Sequence, residues 1–422
     1  MPFDAAARPS PRKIAVIGAG ISGLGAAHLL AGAHDVTIFE AENRLGGHAR
    51  TLVLEDGLAV DTGFIVFNPL TYPRLCALFH DLDVPIKKTS MSFSATIAER
   101  GVEYGAHSLN ALFAHWRNVS DPSFIAMALD ILRFNQIASL PGEDRAISLG
   151  DWLDLHRFSR GFRDYYLLAL AGAVWSAPPR RMLDFPAEAL LAFFRNHRLI
   201  SLKDRPQWQT VEGGSREYVH RLESALRARG VAIKTSARVR RITREDGVRI
   251  EIEGAGAERF DAVFLACHAD QALRLLARPT RDEAKTLAAL RYSRARVLLH
   301  RDARQMPRRR ACWSSWNVRT SRGDASVTYW MNNLQGLPAH TPLFVTLNPM
   351  EPIPESALIN EAQFAHPIFD RAAIEAQSRL AALQGVHDTY FCGAYAHYGF
   401  HEDGLRSAME AVDAFARAPA PQ

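Results

Sequence analysis

Residues Lys13–Arg50 read KIAVIGAGISGLGAAHLLAGAHDVTIFEAENRLGGHAR, and the order of features along them decides the fold. Ile14–Ile17 form an unbroken apolar run, the pattern of a parallel strand buried on both faces. Gly18, Gly20 and Gly23 follow at G-x-G-x-x-G spacing. The first allows a tight turn, the second lets backbone N–H groups approach a pyrophosphate, and the third lets a helix lie close on the strand. The spacing predicts that helix over Ser22–Ala31, with the positive end of its dipole aimed at the phosphates. A second strand, Val36–Phe39, ends in Glu40, an acid about 20 residues after the glycines and placed to hydrogen-bond a ribose hydroxyl. A glycine-rich turn that binds nothing would explain the turn and leave Glu40 without a role.

The 422 residues suffice for two domains, with 48% hydrophobic and 23% charged residues, a globular balance. The longest apolar run, Leu167–Trp175, is far shorter than the roughly 20 residues of a bilayer span. No apolar signal segment precedes the first strand, so a cytoplasmic protein is expected. The four cysteines, Cys76, Cys267, Cys312 and Cys392, lack metal-type spacing and imply no disulfide framework or metal site. The net charge is +5, and Arg308-Arg309-Arg310 is the densest basic run. It is too short for nucleic-acid binding and is suited at most to anionic lipid headgroups.

Farther along, a hairpin is predicted around Asp56-Gly57 and a helix over Thr71–Leu82. Short strands follow over Ile86–Tyr104, then mainly helix from Ser108 to Arg205. The helical stretch is rich in aromatic and aliphatic residues, which suits either core or an apolar cavity. Helix is expected over Arg216–Ala228 and strand over Val231–Ile233, Ala237–Ile242, Val248–Ile252 and Phe260–Ala266. Strands are also expected at Val297–Leu299, Val327–Trp330 and Leu343–Leu347. One or two helices are expected over Phe364–Leu383, with a last strand at Tyr390–Gly393 and a last helix at Gly404–Phe415.

Arg44-Leu45-Gly46-Gly47 follows the acid directly. With Gly57 and Asp61-Thr62-Gly63-Phe64, it resembles the flavoprotein superfamily of amine oxidases, phytoene desaturases and protoporphyrinogen oxidases. More narrowly, DTGFIVFNP at 61–69, GGS at 213–215 and YGFHEDGL at 398–405 resemble a subgroup of NAD/FAD-binding oxidoreductases associated with cyclopropane fatty-acyl synthases. The resemblance spans nearly the whole chain. It implies an α/β fold: a Rossmann-like FAD-binding domain (1–85, 206–290 and 384–422) interleaved with an α+β substrate-binding domain (86–205 and 291–383), amine-oxidase-like in architecture.

The resemblance also implies FAD as cofactor, contacted by Gly18, Gly20, Ser22, Gly23, Glu40, Arg44, Gly46, Gly47, Gly63, Phe64, Val239, Gly393, Asp403 and Leu405. In it Asp403 bonds the ribityl or phosphate region, Val239 offers its backbone to the adenine, and Gly213-Gly214 let the chain pass near the cofactor. His401, Tyr395 and Tyr398 are the acid–base candidates, with His397 nearby. Trp175, His197, Trp330 and Asn332 could line the substrate side, beneath a sheet expected to roof the flavin. Cys392 or His48 could hold a flavin covalently, although a buried thiol and a loop histidine are the plainer readings. Amine oxidases often place a lysine at the flavin N5. Of six lysines here, only Lys203 could stand in.

Flavin supplies the redox chemistry and the protein supplies orientation. The expected activity is hydride removal from carbon of an apolar substrate, an unsaturated fatty acyl chain free or in phospholipid, as desaturase, oxidase or isomerase. Transient docking to the inner membrane face and a cyclopropane-synthase-like methyltransferase partner go with that reading. The alternatives are an amine or amino-acid oxidase, an isoprenoid desaturase, and a non-catalytic flavin-binding partner of a lipid methyltransferase.

Overall fold

The computed structural model describes residues 10–140, 147–175, 179–198 and 206–418. Its organising layer is a five-stranded parallel sheet ordered Ala232–Lys234, Asp35–Phe39, Lys13–Ile17, Ala262–Leu265, Thr389–Phe391. The first strand lies in the middle because its apolar run is buried between neighbours on both sides. Strand order reverses beside it, which places a crevice at the carboxyl ends of Lys13–Ile17 and Ala262–Leu265, where open α/β sheets bind ligands.

Helix Ile21–Leu30 covers one face, and helix His401–Arg417 packs against it. Their approach needs small residues. A Cβ on Gly25 would stand 2.6 Å from a Leu405 methyl, and one on Gly404 2.8 Å from Ser22 Oγ. An antiparallel meander, Val239–Thr243, Val248–Ile252 and Gly256–Phe260, covers the other face.

The second layer is a seven-stranded sheet ordered Leu358–Pro367, Tyr292–His300, Phe344–Leu347, Asp324–Trp330, Trp316–Ser321, Phe93–Ile97, Val102–Gly105. Only the Trp316–Ser321 and Phe93–Ile97 pair is parallel. Helices between Leu109 and Asn196 share its largest apolar core.

Most elements stand where the sequence puts them, and helix Arg216–Ala228 and strand Val248–Ile252 have the expected bounds. Two readings change. Phe364 lies in strand Leu358–Pro367, where alternate residues Ala362 and Phe364 are buried and the partner strand is paired from Tyr292 to His300. Helix begins only after Asp370, which caps Ala373 N. The run Phe260–Ala266 is two strands in two sheets. They are divided at Asp261, whose N–H donates to Lys13 O at 2.7 Å and whose carboxylate accepts from Lys13 N at 2.7 Å.

Candidate dinucleotide and redox site

The glycine turn is built as its spacing requires. Gly18 has φ +101°, and a Cβ there would lie 2.9 Å from Ala266 O. A Cβ on Gly23 would overlap the carbonyl oxygen of Gly18. Gly20 differs, with no atom within 4 Å of its Cβ position. It is the N-cap of helix Ile21–Leu30 and gives that helix no side-chain cap. Uncapped N–H groups beside open space form the cradle an anionic pyrophosphate fits. Glu40 is aimed at the same turn: its Oε2 accepts from Ala19 N and its Oε1 from Glu42 N, each at 2.8 Å. Each oxygen keeps a lone pair for a ribose hydroxyl.

The Arg44–Gly47 segment packs on this turn. Gly46 N donates to Ala19 O at 2.8 Å, and a Cβ on Gly47 would stand 3.0 Å from Gly20 Cα. Arg44 turns inward on its own loop, donating to the carbonyls of Leu45, Gly47 and Ala49 at 3.4, 3.0 and 3.2 Å. Its guanidinium therefore holds the shape of the loop. Ser22 and Leu405 are helix-packing residues in this structure, facing Gly404 and Gly25 respectively. Val239 starts the meander. Just before it, the backbone of Ser236-Ala237 bonds to Glu42 and Glu40, which brings this segment beside the acid.

The Asp61–Phe64 segment holds a junction that spacing alone does not reveal. Asp61 is fully buried. Its Oδ1 accepts from Thr51 Oγ1 (2.6 Å), Ser215 N (2.9 Å) and Ser215 Oγ (2.7 Å), and its Oδ2 from Gln335 Nε2 (3.0 Å). Gln335 also accepts from Asp61 N at 2.9 Å. The Thr51–Asp61 hairpin and two distant segments, at Ser215 and Gln335, meet at one carboxylate, which burial pushes up to about 6 despite these donors. Gly214, at φ +87°, is glycine because a Cβ would come within 2.6 Å of Thr51 and 3.3 Å of Asp61.

Beyond the junction, Phe64 stacks on His401 with ring centroids 3.9 Å apart, and His401 Nε2 lies 3.1 Å from Tyr218 Oη. Burial lowers the His401 imidazole to about 3, so it is neutral. The acids of the last motif cap helices. Asp403 Oδ2 accepts from Phe400 N at 2.9 Å, and burial raises it to about 7. Glu402 accepts from Leu75 N (2.9 Å), Arg74 N (3.2 Å) and the Arg74 guanidinium, capping helix Pro73–Asp81.

The three acid–base candidates do not form one constellation. His401 lies against Phe64. Tyr398 accepts from Asn196 at 2.8 Å and joins a ring cluster with Phe193, His197 and Phe400. Tyr395 belongs to the core beneath the parallel sheet, where its ring occupies the space a Cβ on Gly393 would need. His397 turns away to Glu410 at 2.9 Å.

Of the residues expected on the substrate side, His197 is in the ring cluster and burial lowers it to about 4. Trp330 instead stands edge-on to Trp313 beside Arg310. Asn332 clamps a loop through Pro338 O, Thr341 O and Leu343 N. Lys203 and the side chain of Trp175 lie outside the described residues.

Sequence reasoning gave no part in a cluster to His268 and His366. His48, which follows Gly47, stacks on Phe364 at 5.0 Å and faces His366 at 5.7 Å and His268 at 5.8 Å. Burial holds all three imidazoles neutral-leaning, His48 furthest. His366 Nδ1 and Tyr395 Oη are buried without a hydrogen-bond partner among the described residues. An unpartnered buried ring nitrogen on His366, whose ring faces His48 just after Gly46-Gly47, fits a polar cofactor passing there. No group of three or more His, Cys, Asp or Glu among the described residues could hold a metal ion.

The family described as flavin containing amine oxidoreductase matches residues 21–308. A protein of Mycobacterium tuberculosis named as a flavin-containing monoamine oxidase is 27% identical over 262 residues, 58% of this chain and 54% of its own length. The chain thus spans about half the length of the curated relatives it matches. Among solved structures, a CLA-producing fatty acid isomerase from P. acnes has a TM-score of 0.69 at 16% identity, covering 96% of this chain and 98% of that one. Cyclohexylamine oxidase from Brevibacterium oxydans gives the same four values. At such identities the likeness shows the fold.

Proposed function

The chain belongs to the flavin containing amine oxidoreductase family, and from that premise we propose an FAD-dependent oxidoreductase that removes hydride from carbon of an apolar substrate. We take that substrate to be an unsaturated fatty acyl chain, free or in phospholipid, which the enzyme desaturates, oxidises or isomerises. The pyrophosphate would lie at Gly18–Gly23, the adenosine ribose at Glu40, and the ring system between Gly63-Phe64 and the Gly393–Leu405 segment, beside the directly stacked Phe64 and His401 rings rather than between them. When bound, FAD supplies hydride acceptance at its N5. The positive end of helix His401–Arg417 favours negative charge beside it. Phe64, Tyr218 and His401 exclude water there without bringing a charge.

The observation that carries the substrate class is the character of the rings around this position. Phe64 and His401 form one stack, Phe193, His197, Tyr398 and Phe400 a second ring group joined to it through the consecutive residues Phe400 and His401, and burial keeps both histidines neutral. Of the nearby carboxylates, Glu402 and Asp403 are engaged in helix caps and Asp61 in the junction. Such a lining suits hydrocarbon better than an ammonium or an amino-acid carboxylate. The monoamine oxidase-named relative favours the second reading, an amine oxidase.

The test is anaerobic titration of the flavin-loaded protein with unsaturated phospholipid, free unsaturated fatty acid and a panel of amines, following flavin absorbance and double-bond position together. Bleaching or bond migration with acyl chains supports the proposal. An unchanged lipid alongside bleaching by amines overturns it.

A further inference from the structure

Eight of the fourteen exposed large apolar side chains among the described residues fall between Leu109 and Leu140. That stretch comprises two short helices, Leu109–Leu112 and Arg117–Ser120, and the long helix Pro122–Ile137. The long helix buries Phe124, Met127 and Phe134 in the core. Its opposite face is also apolar: Ile125, Leu129 and Leu132, at i, i+4 and i+7, are 37%, 64% and 51% exposed. A surface helix normally turns polar residues outward, so an apolar stripe there marks an interaction face.

What covers it can be read from its flank. Trp116 is 71% exposed, and the Arg117 guanidinium lies 5.4 Å from its ring centroid. Trp116 and Arg117 border an open cleft of about 340 Å³ that Arg100, Asn118, Ser120 and Asp121 complete. Arg309 is close enough to act electrostatically on His115, the neighbour of Trp116, and Arg308 beside it is exposed. Glu103 pairs with Arg309 at 3.4 Å, which leaves Arg100, Arg117 and Arg308 against Asp121; with an exposed tryptophan and an outward leucine stripe they are complementary to hydrocarbon beneath anionic headgroups. No helix among the described residues is long and apolar enough to cross a membrane, so the face would lie on the surface.

We infer that the Leu109–Leu140 face docks this protein on an anionic phospholipid bilayer, with Leu129 and Leu132 in the acyl region and Trp116, Arg100 and Arg117 at the phosphates. This deepens the acyl-chain reading and rests on it only for its purpose; the docking itself rests on the surface.

The test is co-sedimentation of the full flavin-loaded chain with vesicles of saturated phosphatidylglycerol, against saturated phosphatidylcholine, at low and high salt. Saturated vesicles report docking without an unsaturated acyl substrate. Salt-sensitive binding to the anionic vesicles is expected. In the double variant Leu129→Glu/Leu132→Glu it should weaken at least about tenfold, because two leucines no longer bury and two like charges face the membrane.

Flavin content and melting temperature should not change, since both positions are exposed. As a second readout, a vesicle-induced shift in tryptophan emission should vanish in Trp116→Phe. The inference is overturned if the native protein ignores both vesicles or if the double variant binds equally. It is also overturned if the face proves to be buried in a stable dimer whose dissociation the double variant promotes. Docking can fail while free fatty acids still react at the flavin, so the two proposals fall separately.

Discussion

Replacing Asp61 with asparagine should change the pH dependence of stability more than stability at any one pH. The carboxylate is fully buried among donors from Thr51, Ser215 and Gln335, and burial still lifts it to about 6 from an ordinary 3.8. A raised acid favours its protonated form in the fold. Its contribution is therefore fully present below the unfolded pKa and is lost as pH rises through the folded one. Two pKa units at 1.36 kcal/mol each put the full loss at about 3 kcal/mol, roughly half of it between pH 5 and 8. Asparagine carries no such term. It does turn an amide N–H₂ toward Gln335 Nε2 or toward the Ser215 and Thr51 donors, which costs about 1–3 kcal/mol at every pH. Because about half of the native loss is already incurred at pH 5, Asp61→Asn should lie near the native protein there and gain about 1–1.5 kcal/mol on it by pH 8. Denaturation midpoints of both proteins across pH 5–8 measure this. Parallel midpoint curves, with one fixed offset at all pH values, would refute the assignment of Asp61 as a costly buried charge.

Gly23→Ala should yield a folded protein without flavin: the new methyl overlaps Gly18 O, overpacking of this kind costs about 1–3 kcal/mol, and relief comes from lifting the helix off the turn. The absorbance of the purified variant decides it, and a native flavin content would show that the turn is not the pyrophosphate cradle. His401→Phe should keep the stack on Phe64 and leave the pH profile of flavin reduction unchanged between pH 5 and 9, because the native imidazole is already neutral there, lowered to about 3. Loss of an ionisation in that window would make His401 a proton-transfer group.

Much of the cofactor half was legible in the sequence because its constraints are local. Gly18 and Gly23 sit within one turn and one helix, and each is glycine for a backbone reason that spacing records. Glu40 is bound to the turn through Ala19 N, a contact set by two adjacent parallel strands. The helix over Arg216–Ala228 was equally plain, because Tyr218, Val219, Leu222 and Leu226 mark one face. Phe364 was misplaced because a strand in a sheet core and a short apolar helix share composition, and only its pairing with Tyr292–His300 separates them.

The parts that remained hidden are those that distant segments make together. Asp61 looked like part of a flavin-side segment. Thr51 faces it across the local hairpin, but Ser215 and Gln335 reach it only through the tertiary fold. His268 and His366 had no reason to be read beside His48, and Tyr395 and His401, six residues apart, end in different cores. By itself the sequence determined the parallel sheet, its glycine turn and its acid, since strand periodicity and glycine conformation act over a few residues. Which carboxylate is buried, which histidines meet and which apolar face is left uncovered were decided by the tertiary structure. Burial and electrostatic environment belong to packed neighbours, and neighbours in space are not neighbours in the chain.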